Sequence, residues 1–267
     1  IMIGATVLIV VGVIDDRWSL PAKVKLLGQI LAAAIVVIGF GIQIDWLVLP
    51  YIGLLYLPTL ISVPVTIFWI IGIDGLDGLA AGVAAIASLA IAMLAFQMGQ
   101  WVSAAAMVAM AGSALAFLQY NFNPAKIFMG DTGSMFLGYI IAVVSVLGAM
   151  KTAAVTVLFV PVIALMVPIM DTLLAIIRRR ISGIPVFAPD KSHLHHRLLA
   201  QGLNQKQVVL VMYALTAFFS CIALLVIHVS PIIGIVIVGG VVTIFILWAK
   251  KLGVLKKTFQ NKEIDTF

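Results

Sequence analysis

Acidic residues are scarce in this chain, ten among 267, and several arrive in spacings that packing does not explain. Asp15 and Asp16 are adjacent and are followed by Arg17, Lys23 and Lys25. Asp74 and Asp77 stand three apart in Ile-Asp-Gly-Leu-Asp-Gly, so a helical backbone would point both to one side. Asp131 lies in a polar stretch at residues 121–134, Asn-Phe-Asn-Pro-Ala-Lys-Ile-Phe-Met-Gly-Asp-Thr-Gly-Ser. There Asn123-Pro124 favours a turn, and Gly130 and Gly133 permit positive φ or close ligand approach. The pattern predicts a tight loop presenting one carboxylate, with Asn121 and Lys126 nearby. A fourth cluster, Lys191-Ser192-His193-Leu194-His195-His196-Arg197, gathers three imidazoles between cations. Histidine clusters often bind metal, but flanking Lys and Arg disfavour a dication and suit a phosphate. Carboxylates for Mg²⁺ beside cations for phosphates point to phosphoryl transfer with a diphosphate leaving group.

Plainer readings exist for each motif. Asp15 and Asp16 also fit solvated charges near a helix start, against a base or metal partner with Lys25 receiving a phosphate. Asp74 and Asp77 also fit a cap followed by a turn, against a cation site or a shared proton. Asp171, at membrane depth, is either functional or the group that orients Arg178, Arg179 and Arg180. His228 reads as interfacial.

The elements that must position these residues are membrane spans. With 64% hydrophobic and 10% charged residues and a mean hydropathy of +1.24, the chain is an integral membrane protein by composition. Apolar runs at residues 1–14, 26–42, 54–73, 79–98, 101–120, 134–150, 152–177, 208–229 and 231–249 predict an all-α polytopic protein with about nine transmembrane helices. Residues 43–56 read as an interfacial element with Trp46 as anchor. The first run leads into Asp15-Asp16 without a small-residue cleavage site, so it is a span and not a cleaved leader. Because the chain enters this run at Ile1, residues 1–267 are expected to form a single transmembrane domain lacking N-terminal spans. On this topology fifteen of the sixteen Lys and Arg fall on one face and only Lys151 on the other. The positive-inside rule makes the first face cytosolic, with all four polar clusters on it. The net charge of +6 then concentrates on that face and fits anionic lipid or an anionic substrate better than nucleic acid. Cys221 is the single cysteine, which leaves no intrachain disulfide. A cation or solute transporter would use similar acids, but at mid-membrane, whereas these lie at the ends of spans.

The ordered motifs resemble those of the polyprenyl-phosphate N-acetylhexosamine-1-phosphate transferases. They are Asp15-Asp16 with Lys-Leu-Leu-Gly-Gln at residues 25–29, Asp-Gly-Leu-Asp-Gly-Leu-Ala at 74–80, the stretch at 121–134, residues 168–172, and His-Leu-His-His at 193–196. The resemblance implies transfer of N-acetylglucosamine-1-phosphate from UDP-N-acetylglucosamine to undecaprenyl phosphate, releasing UMP, as in the branch that starts teichoic acid linkage units. It implies Asp131 as the Mg²⁺ ligand, with Mn²⁺ as a substitute, and Asp15 as the base toward the lipid phosphate. Asp16, Asp74 and Asp77 would shape the metal and diphosphate environment. Lys25, Asn121, Lys126, His193, His195, His196 and Arg197 would contact substrates. The partners implied are the two substrates and membrane lipids, with a homodimer left open and no nucleic acid. The sister phospho-N-acetylmuramoyl-pentapeptide transferase is the alternative, and His-Leu-His-His after Ala188-Pro189-Asp190 favours the N-acetylglucosamine branch. Ile73 meets Asp74 directly where the family carries a short Asn-containing segment, so the expectation is a preserved fold with amide groups missing beside the diphosphate.

Overall fold

The computed structural model describes residues 1–44, 46–49, 53–56, 80–152, 155–183 and 193–254. In chain order these form α1 (Met2–Trp18), α2 (Ala22–Phe40), β1 (Trp46–Leu49), β2 (Gly53–Tyr56), α3 (Ala80–Gln97), α4 (Trp101–Asn121) and α5 (Gly130–Thr152). After them come α6 (Val155–Ala164), α7 (Met166–Ile181), α8 (Leu194–Ala200), α9 (Gln205–Val226) and α10 (Pro231–Lys251). Six of the described helices, α2, α3, α4, α5, α9 and α10, are long and apolar enough to cross a bilayer, so this is a multi-pass membrane protein.

One expected span is corrected and another is described only at its start. Of the run at 54–73, residues 57–73 lie outside the described residues, and 54–56 belong to β2, which pairs antiparallel with β1, Leu47 opposite Leu55 and Val48 opposite Leu54. A short aliphatic run has no period that separates strand from helix. The long run at 152–177 is two helices meeting at Leu165. Pro168 supplies the reason, because a proline ring collides with the carbonyl four residues earlier, and Ala164 is where α6 ends. Asp74, Asp77 and the junction at Ile73 lie outside the described residues, so nine crossings are not reached among those described.

α3 is the central pillar. Its alanine-rich sequence lets α4, α5, α6 and α9 all pack against it, and 72% of its span is buried. Tyr213 of α9 lies so close over Gly82 that a Cβ there would stand 2.1 Å from Tyr213 Cζ. Two apolar clusters fill the interior. One joins α1 to α5 through Leu8, Ala33, Met107, Tyr139 and Ile141. The other joins α6 to α10 through Ile163, Leu198, Met212, Phe219 and Phe245. α10 is the reverse of α3, with only 17% of its span buried and Ile235, Val236 and Ile244 facing outward, as suits lipid.

α1 and α5 run antiparallel and nearly touch. Tyr139 Oη donates to Ile1 O at 3.0 Å, and a Cβ on Gly4 would meet Tyr139 Oη at 2.1 Å. At the other end, a Cβ on Gly12 would meet Thr132 Cα at 2.4 Å. Backbone cannot yield as a flexible side chain can, so Gly12→Val should cost about 1–3 kcal/mol. Gly39→Ala, with nothing within 4 Å, should gain up to about 1 kcal/mol from helix propensity. Thermal unfolding of detergent-solubilised protein checks both, and equal midpoints for Gly12→Val and the parent would remove the close approach.

Candidate active site

Asp15 and Asp16 do not sit in a loop. They occupy the last turn of α1, which closes at Ser19 in the left-handed region (φ 48), its N–H donating to Asp15 O at 2.7 Å. Leu20 N–H then donates to Asp15 Oδ1 at 2.7 Å, so Asp15 fastens its own helix end with main chain and side chain together. Asp131 also departs from expectation: it lies in the first turn of α5, not on a loop before it. Gly130, at φ 66, makes the turn into the helix, and a Cβ there would stand 2.5 Å from Asp16 Oδ2. A carboxylate near a helix N-terminus is favoured by the dipole, and here two converge.

Asp16 caps that terminus from another helix. Its Oδ1 accepts from Asp131 N at 2.9 Å, and its Oδ2 accepts from Thr132 Oγ1 at 2.6 Å and Thr132 N at 3.4 Å. Expected as catalytic, Asp16 is engaged with the α5 backbone and thereby fixes where Asp131 points. Lys25, from the first turn of α2, bridges the other two acids, with Nζ 2.9 Å from Asp15 Oδ2 and 2.6 Å from Asp131 Oδ2. Asp15 is 6% exposed. Burial alone would raise its carboxyl, but the hydrogen bonds with Asp131, Lys25 and Leu20 and the Lys25 charge together hold it below the usual carboxylate range, while burial and the contact with Asp15 push the Asp131 carboxyl up despite Lys25. Asp15 is therefore ionised at neutral pH.

Oxygens of Asp15, Asp16 and Asp131 all lie within 4.8 Å of one another. Octahedral Mg²⁺ with bonds of about 2.0–2.1 Å separates its ligand oxygens by roughly 3–4 Å, so a small contraction would seat one ion. The donor set is all-oxygen and anionic, which suits a hard cation. These residues fit Mg²⁺ or Mn²⁺.

A second group surrounds a cavity of about 330 Å³ between the α4–α5 loop, α8 and the start of α9. Asn121, Asn123, Phe128, His195, His196 and Gln205 line it. Asn121 is partly committed to the loop, its Nδ2 donating to Ile127 O at 2.9 Å, while Lys126 N closes the same turn on Tyr120 O. The imidazoles are bundled, with His195 and His196 centroids 4.2 Å apart and His193 stacked 5.9 Å from His195. His193 is tied to Asp171, whose Oδ2 stands 3.1 Å from His193 Nδ1 and whose Oδ1 accepts from Leu194 N at 2.7 Å.

The structure thus joins Asp15, Asp16, Lys25 and Asp131 in one network and Asn121, His195 and His196 around one cavity. The loop at residues 121–130 connects the two. Lys126 is exposed and, with Arg197, is not among the lining residues. Sequence reasoning missed Gln205 and the partner of Asp171. Gln205 carried no signal beyond being polar beside an apolar run, and its amide accepts a hydrogen bond from Asn123. For Asp171 the sequence left a functional role and the orienting of Arg178 to Arg180 both open, and the structure sets it against His193 and Leu194 of the histidine segment.

Asp16→Ala would strip three acceptor contacts from the first turn of α5. A lost cap costs about 0.5–2 kcal/mol, so the unfolding midpoint should fall measurably. Thr132→Val, which removes only the hydroxyl contact, should fall less. An Asp16→Ala protein as stable as the parent would mean that the cap contributes nothing.

Comparison with known proteins finds relatives over most of this chain. A family model described as Glycosyl transferase family 4 matches residues 1–149. A probable undecaprenyl-phosphate N-acetylglucosaminyl 1-phosphate transferase of Bacillus subtilis (strain 168) is 40% identical over 231 residues, 84% of this chain and 64% of the relative. A decaprenyl-phosphate N-acetylglucosaminephosphotransferase of Mycobacterium tuberculosis (strain CDC 1551 / Oshkosh) is 36% identical over 91% of this chain and 69% of the relative. A phospho-N-acetylmuramoyl-pentapeptide-transferase of Staphylococcus carnosus (strain TM300) is 31% identical over 76% of this chain and 68% of the relative. The chain spans about two thirds of the length of these relatives. Family model and identity agree, and the chain belongs to glycosyl transferase family 4.

Proposed function

We propose that this chain transfers N-acetylglucosamine-1-phosphate from UDP-N-acetylglucosamine to undecaprenyl phosphate, releasing UMP, as an early membrane step in building a cell-envelope polymer such as teichoic acid. The observation that carries it is the network of Asp15, Asp16, Lys25 and Asp131 at one end of the helix bundle, joined by one loop to the cavity that holds His195 and His196. The higher identity to the two N-acetylglucosamine transferases favours this substrate over the muramoyl-pentapeptide. Residues 1–267 are taken as one transferase domain in the cytoplasmic membrane, with the bias of Lys and Arg turning this end to the cytosol. A second copy of the chain remains open as a partner.

Asp15 and Asp131 would hold a Mg²⁺ ion. That ion, when bound, would neutralise diphosphate charge and polarise the phosphorus under attack. The chain's own groups do the rest. Asp16 keeps Asp131 in register by holding the α5 N-terminus. Lys25, at the foot of α2, contacts the acceptor phosphate. Asp15 would take that phosphate's remaining proton only while its Oδ2 is off the metal, a modest task because phosphate monoesters hold their second proton only to about pH 6. The lipid phosphate oxygen then attacks the β-phosphorus of the sugar nucleotide, and the bond to UMP breaks. His195 and His196, with Asn121 at the cavity wall, would bind the phosphates and the sugar; His193 is oriented for this by Asp171. Lys126 and Arg197 add cationic charge around the cavity. Asp74 and Asp77 keep their proposed place beside the diphosphate.

Membranes carrying the protein, given undecaprenyl phosphate, Mg²⁺ and either UDP-N-acetylglucosamine or the UDP-muramoyl-pentapeptide, should release UMP with the first donor only. Release with the second alone would reverse the assignment. Asp131→Asn keeps shape but loses charge and should cut turnover by more than about 10²-fold. His195→Ala or His196→Ala should raise KM for the sugar nucleotide about tenfold, since each would remove a hydrogen bond to a charged group. An unchanged KM in both would detach the histidines from the donor.

A further inference from the structure

We propose that Lys25 is an exchangeable counter-ion: its ammonium and a divalent cation alternate on the same two oxygens, Asp15 Oδ2 and Asp131 Oδ2, and metal loading turns Lys25 outward to the acceptor phosphate. This deepens the metal-dependent reading above and rests on it. Lys25 Nζ stands in direct ion-pair contact with both oxygens, at 2.9 and 2.6 Å. On Asp15 this is the oxygen left to offer, and on Asp131 it lies beside Oδ1, which a metal could also reach. Asp15 Oδ1 is held by Leu20 N–H, and both oxygens of Asp16 are held by the first turn of α5. Asp15 can therefore ligate a metal through Oδ2 without giving up a backbone hydrogen bond.

An ammonium and a dication sharing two oxygens would stand within roughly 4 Å of each other, where like-charge repulsion is strong, so both cannot stay. Lys25 is built to leave. Its side chain is 29% exposed and springs from the first turn of α2, at the same end of the bundle as the cavity. Lysine carries a compact, well-hydrated charge on a flexible stem, whereas an arginine fork would grip carboxylates in a paired geometry and release them less readily. With Lys25 bridging, three crowded carboxylates are relieved of part of their mutual repulsion. Once displaced, the same ammonium is free for a phosphate, so binding of metal and binding of acceptor reinforce each other.

The test is site-resolved acetylation of lysines by mass spectrometry on the full chain in detergent, with and without Mg²⁺. Exposed Lys23, two residues away, is the internal reference. Exchange predicts that saturating Mg²⁺ speeds acetylation of Lys25 relative to Lys23 by about fivefold or more, the scale of a typical coupling between sites. An unchanged ratio, or a slowed Lys25, overturns the exchange. In parallel, Lys25→Met should bind Mn²⁺ about fivefold more tightly than the parent in an equilibrium titration. Without metal it should unfold at a lower temperature, and Mn²⁺ should restore the difference. Lys25→Arg, which keeps the charge, should not gain affinity. If the parent binds Mn²⁺ but Lys25→Met binds no more tightly, the exchange fails and the metal site stands. If the parent binds no Mn²⁺ at all, the metal site fails and takes the exchange with it. The acetylation ratio decides on the unsubstituted protein even if Lys25→Met does not fold.

Discussion

A carboxylate on α1 accepts the first N–H groups of α5, 115 residues further on, and the arrangement of the site depends on that hydrogen-bonded junction. The opening N–H groups of a helix lack intrahelical partners and carry the positive end of its dipole. Asp16 meets this need at 2.9 Å from Asp131 N and 2.6 Å from Thr132 Oγ1. The same contact sets the height and rotation of Asp131 relative to Asp15, and so the spacing into which Lys25 fits. The absence of side chains at Gly12 and Gly130 makes the approach possible, since either Cβ would fall within 2.5 Å of an atom across the junction. Structural and chemical demands meet in adjacent residues: Asp15 turns to Lys25, Asp16 to the helix backbone.

The two halves of the bundle contribute different chemistry. The cluster of α1 to α5 ends in carboxylates, and the cluster of α6 to α10 ends in imidazoles and amides. The loop between α4 and α5 is the piece shared by both, with Asn121 and Phe128 on the cavity and Asp131 three residues beyond Phe128. A donor with both a diphosphate and a sugar would have to span these two chemistries, which is why one substrate can be read from two polar groups with different partners.

Much of the site was legible because charge is rare in this chain. In a sequence with 10% charged residues, adjacent Asp15 and Asp16, a lysine at the foot of the next helix, and Asp131 between glycines stand out without knowledge of the fold. The partners of those groups were not legible. Nothing in the local sequence tells Asp15 from Asp16, yet one is 6% exposed and ion-paired while the other caps a distant helix. Both Pro161 and Pro168 were visible, but α6 accommodates Pro161 in its interior and yields to Pro168. The hairpin of β1 and β2 falls in the stretch at 43–56 read as an interfacial element, where a short aliphatic pattern carries no period that reveals a strand. Gln205 and Tyr213 gave no signal because their importance is purely one of place.

The fastening of α1 to α5 at both ends, Gly4 against Tyr139 and Gly12 against Thr132, makes the segment between them a ruler of fixed length. One residue added or removed between Gly4 and Asp16 would shift the carboxylates by about 1.5 Å along the axis and swing them by about 100°. The acids would leave α5 while every span kept its hydrophobicity. Evolution can therefore exchange almost any apolar residue on the outward face of α1, but it cannot change the number of residues there, so that face should tolerate substitution freely and the helix insertion not at all.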